Sequence, residues 1–139
     1  MAWMCVRLEL ARSSDYPAGS HRHGYEFLLP LDDAGHIDDR PLRRAPELCM
    51  VHRFWGGAGH AVGTIRRGPG GRWLLSYRLG KHDDEPVPRL ADCRFREGEF
   101  LTIPEADGDA HTFRIMRVEP ASRLAAAPCR HIQPRSVRP

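Results

Sequence analysis

Met4, Val6, Leu8 and Leu10 alternate with Cys5, Arg7 and Glu9, a period of two over seven residues that only an extended strand with one buried face satisfies. After that strand, turn chemistry recurs too often for long helices. Gly, Pro and Asp cluster at 13–20, 32–39, 56–59, 68–71 and 107–109. Between these clusters stand β-prone runs at 21–30, 49–55, 60–67, 72–78, 96–103 and 111–118. The runs at 60–67 and 72–78 predict one hairpin, and those at 96–103 and 111–118 a second. Residues 40–48 are the one helical candidate, limited to a turn or two by Pro41 and Pro46. Residues 79–94, with Gly80, Pro86 and Pro88, show no period and read as a long loop.

Such a chain is expected to be all-β: a small barrel or compact sandwich of six to seven mostly antiparallel strands, with at most one short helix. Its 139 residues, 41% of them hydrophobic, are enough for one core. The expected domain covers residues 1–119. Residues 120–139, rich in Ala, Pro, Ser and Arg, read as a flexible, disordered basic tail. No apolar run approaches the roughly 20 residues of a membrane span, and Arg7 and Glu9 fall where a secretory apolar stretch would lie. The expected location is cytoplasmic, with no membrane partner.

The net charge of +3 is unevenly spread. Arg123, Arg130, Arg135 and Arg138 give the tail +4, which leaves residues 1–119 at −1, so a basic pI is no argument for nucleic acid. Of the 21 basic residues, Lys81 alone is not Arg, and there is no Asn, a bias that points to a GC-rich bacterial genome. Cys5, Cys49, Cys93 and Cys129 form no CxxC pair, which fits a reducing compartment better than a disulfide framework.

The strings GSHRHGYEF at 19–27, RFWGG at 53–57, GEFLTI at 98–103 and HTFRI at 111–115 resemble a group of small uncharacterised proteins from high-GC proteobacteria that carry no assigned activity. His21, His23 and Glu26, followed by Gly98, Pro104, Gly108 and His111, also resemble the two motifs of cupins. The spacing departs from the cupin pattern: Glu26 follows His23 after two residues rather than three or four, and Pro104 to Gly108 is two residues too long. The resemblance implies one divalent transition metal held by His21, His23, Glu26 and His111. On a regular strand His21 and His23 would share a face with Tyr25 and Phe27, while Glu26 would point the other way unless the strand bends at Gly24.

A second candidate is a surface of alternating guanidinium and aromatic groups: Arg53, Trp55, Arg66, Arg67, Arg72 and Arg78. Within its hairpin, Trp73, Leu75 and Tyr77 are expected in the core. Such a surface suits a protein or peptide partner better than nucleic acid, and a homo-oligomer is compatible with it. No Gly-x-Ser-x-Gly elbow or phosphate loop occurs, and His82-Asp83-Asp84-Glu85 reads as a solvated loop. The expected function is therefore a non-catalytic binding or interaction module without a cofactor, and the alternative is a cupin-like metal-dependent enzyme or sensor.

Overall fold

The computed structural model describes residues 1–58, 60–77, 85–104 and 109–121. Among these residues eight strands form one antiparallel sheet: β1 (Ala2–Leu10), β2 (Ser20–Leu31), β3 (Met50–Trp55), β4 (His60–Arg67), β5 (Trp73–Tyr77), β6 (Glu85–Pro86), β7 (Phe100–Pro104) and β8 (Ala110–Pro120). Strands β1 to β6 each pair with the next in sequence, and the β7–β8 hairpin folds back to lay β8 beside β1. The order β6-β5-β4-β3-β2-β1-β8-β7 brings the end strands β6 and β7 near each other, so the sheet curls into a nearly closed barrel. The alternation of β1 holds: Val6, Leu8 and Leu10 are buried inside, where they meet Tyr25, Phe27 and Leu29 of β2, while Arg7 and Glu9 point outward. Both expected hairpins form. In the first, Arg67 pairs with Trp73 across a turn whose Gly70 and Gly71 take φ of +76° and +75°, a conformation that a side chain would strain. Trp73 and Leu75 are core, Tyr77 is half-buried and Arg72 is exposed.

Segments outside the strands complete the core. Helix α1 (Asp39–Arg44), capped by the Asp38 side chain accepting from the Arg40 N–H at 3.1 Å, turns Leu42 into the core. Beside it, Val87, Leu90, Cys93 and Phe95 are buried, held by Val87 N–H to Trp73 O at 3.0 Å and Phe95 N–H to Gly35 O at 2.8 Å. The part of the expected 79–94 loop that the structure describes is therefore not loose. Glu85 and Pro86 pair with β5 as a short extra strand, which is why there are eight strands instead of six or seven, and residues 87–95 then add to the core. Residues 78–84 lie outside the described residues.

The paired edge passes residue 119. Pro120 pairs with Met4, and the Ala121 N–H donates to Trp3 O at 2.9 Å. The tail expected from 120 onward otherwise lies outside the described residues. Cys49 and Cys93 are free and buried, whereas Cys5 on β1 is disulfide-bonded, contrary to the expectation that every thiol stays reduced. Among the described residues no helix is long and apolar enough to cross a membrane.

Candidate functional site

The ladder between β1 and β2 is broken where it matters most. Glu9 pairs with Gly24, but Leu10 pairs with Ser20, so residues 21–23 are extra on β2 relative to β1 and form a bulge, although His23 still pairs with Trp55 of β3. The bulge ends the alternation that would have put His21 and His23 on one face. His21 is exposed on the outside of the barrel. The His23 ring packs edge-on against Trp55 at 4.7 Å, with Nδ1 2.7 Å from Ser20 Oγ. Partial burial, with Arg22 and Arg53 nearby, lowers the His23 pKa. His111 packs on the same Trp55 at 5.5 Å. Glu26 lies on the outer face against Arg7 and His52. The structure thus brings His23 and His111 to Trp55 and sends His21 and Glu26 elsewhere. Among the described residues no group of three or more His, Cys, Asp or Glu is placed to hold a metal ion.

A polar network covers the outer face across β1, β2, β3 and β4. Arg7 donates from Nε to Glu9 at 2.8 Å, from Nη1 to Glu26 at 3.2 Å and from Nη2 to His21 O at 3.1 Å, and its guanidinium lies 4.4 Å over the Phe54 ring. The Glu26 carboxylate also accepts from His52 Nδ1 at 3.3 Å, and His52 Nε2 lies 2.8 Å from His60 Nδ1. Glu26 and His52 are buried, while His60 is exposed. Gly24 is required at the centre of this face, because a Cβ there would run into the backbone of Leu8 and sit 2.9 Å from the Phe54 ring.

Beside this network runs a groove made of two hollows that share Glu9 and His21. The larger, about 900 Å³, is walled by residues 10–12 and 18–21 and floored by Phe100, Thr112, Arg114 and Met116. The smaller, about 560 Å³, is lined by Arg7, Arg22, His52, Phe54, His60 and Arg117. Phe100 and Met116 are 57% and 42% exposed, among the few large apolar side chains left in solvent. Five arginines, Arg7, Arg12, Arg22, Arg114 and Arg117, line the groove; among the described residues Arg7 is paired with Glu9 and Glu26 and Arg117 with Glu119, which leaves a formal +2. Arg12, Arg22 and Arg114 make no ion pair among the described residues.

The guanidinium and aromatic residues expected to form one surface are divided. Arg53 lies 4.3 Å over Trp55, beside the start of β4. Arg67, near the other end of β4, stacks 4.6 Å over Trp73 and reaches Gly71 O at 2.9 Å and Asp39 at 3.4 Å. Arg66 lines a third hollow of about 530 Å³ beside α1, and Arg72 is exposed at the turn. Arg78 lies outside the described residues. The groove arginines give no sequence signal because they come together only when β8 returns to β1, a pairing across more than a hundred residues. Comparison of the chain with protein-family models, curated proteins and solved structures gave no match.

Proposed function

We propose that the protein is a binding module that holds an extended acidic segment of a partner protein in the outer groove. The observation that carries this reading is the trio Arg12, Arg22 and Arg114, which line the groove and make no ion pair among the described residues. Clustered like charge of this kind raises the local concentration of an oppositely charged partner and orients it. Phe100 and Met116 give the same groove an apolar patch, so acidic residues interspersed with apolar ones fit it best. From His60 to Phe100 the cross-strand row passes through Phe54, Gly24, Glu9 and Arg114 over six strands. That is roughly 24 Å at sheet spacing, room for about seven extended residues.

A nucleic acid is the less favoured occupant. Single-strand binding takes successive aromatic platforms, and in this groove Phe54 is buried under Arg7, which leaves Phe100 exposed for one base at most. The test is fluorescence anisotropy with a labelled peptide alternating Glu with Leu, beside the same peptide with Lys for Glu and a single-stranded oligonucleotide. Binding of the Glu peptide alone, weakening as salt is raised, supports the reading. Preference for the oligonucleotide, or no discrimination between the two peptides, overturns it.

A further inference from the structure

His52 and His60 sit on neighbouring strands, β3 and β4, two residues out of register: His52 pairs with Val62 and Phe54 with His60. Their rings are nearly parallel, 17° apart with centroids at 4.9 Å, and His52 Nε2 meets His60 Nδ1 at 2.8 Å. From behind, the Glu26 carboxylate accepts from His52 Nδ1 at 3.3 Å, which fixes the proton of His52 on Nδ1 and leaves Nε2 with its lone pair toward His60. Both imidazoles line the smaller hollow.

We propose that His52 Nε2 and His60 Nδ1 are two ligands of a divalent transition-metal site of the imidazole-preferring class, zinc or nickel, with Glu26 as the carboxylate that orients His52. Two imidazole nitrogens bound at about 2.0–2.1 Å to one ion stand roughly 2.9–3.4 Å apart, so the observed pair needs to open by a few tenths of an ångström and the rings to turn so that both lone pairs face the ion. His60, being exposed, can supply that movement. Binding places the proton of His60 on its Nε2, which frees the Nδ1 lone pair for the ion. A carboxylate hydrogen-bonded to the far nitrogen of a ligand imidazole is the usual support of such a ligand. With two protein donors the site is open, its remaining positions going to water or to a carboxylate from solution. It is distinct from the cupin-like set, since His21, His23 and His111 are not among its ligands, and it lies in the smaller hollow of the groove.

The test is a titration of the untagged, chelator-stripped full chain with Ni(II) alone and with Zn(II) alone, followed by calorimetry and by melting temperature. The expected result is about one equivalent bound and a melting temperature raised at saturation. His60→Ala, at an exposed position that the fold tolerates, should abolish both. Glu26→Gln should weaken binding by about tenfold or more, while His23→Ala should leave it unchanged. A native chain that binds neither ion, or a His60→Ala variant that binds as tightly as the native chain, overturns the proposal.

Discussion

Arg7 and Glu26 form a cross-strand ion pair, Nη1 to Oε2 at 3.2 Å, on a face where only 19% and 8% of their side-chain surface meets solvent. The same arginine holds Glu9 and the backbone of the bulge at His21, so one side chain ties β1 to the irregular part of β2. Removing one partner of such a pair leaves the other charge poorly hydrated, and that penalty exceeds what the pair itself contributes. Arg7→Ala should therefore cost about 3 kcal/mol in chemical denaturation. Arg7→Met combined with Glu26→Gln should recover a large part of that loss. An Arg7→Ala variant as stable as the native chain would mean that Glu26 is satisfied without it.

Trp73 and Arg72 are neighbours in sequence with opposite surroundings, one 4% exposed inside the barrel and the other in solvent at the turn. Trp73→Ala is expected to lower stability by about 3–5 kcal/mol, and Arg72→Ala to stay within about 0.5 kcal/mol. Urea denaturation of both variants checks the β4–β5 register, and reversed magnitudes would mean that it is shifted by one residue.

Burial pushes the Cys49 thiol from its ordinary 9.0 to about 12. Burial, with the Glu99 carboxylate adding to it, pushes Cys93 to about 11. Both should resist alkylation at pH 8 until the chain unfolds, because the thiolate is the reacting form. Between pH 9 and about 11 to 12 the unfolded chain loses thiol protons that the folded chain keeps. The folded state then binds more protons, so stability falls as pH rises through that window and this contribution is constant below it. Replacing both thiols by Ala should flatten the alkaline limb of a stability profile. Rapid labelling of native protein at pH 8 would contradict the burial.

Legibility in the sequence tracks the range of each interaction. Strand β1 and the β4–β5 hairpin were legible because alternation and the Gly-Pro-Gly-Gly turn are local signals, and Trp73 and Leu75 lie where that pattern puts them. Residues 87–95 were not legible: Val87, Leu90, Cys93 and Phe95 fall at intervals of three, three and two among Pro86 and Pro88, so they share no period although all four are buried. Tertiary packing alone selects them. For the histidines the obstacle was the bulge at 21–23, where the register against β1 jumps from Gly24 to Ser20. His52 and His60 gave no signal because their approach depends on the offset between β3 and β4.

The most direct measurement of the central claim is the affinity of the Glu–Leu peptide for a chain carrying Arg12→Glu and Arg114→Glu. Both positions are exposed, so melting temperature should barely move, while the groove's formal charge falls by four and changes sign. The expected result is a loss of affinity of about tenfold or more together with a flattened salt dependence. Unchanged affinity in a folded double variant would show that the peptide binds elsewhere and that the outer groove is not the binding site.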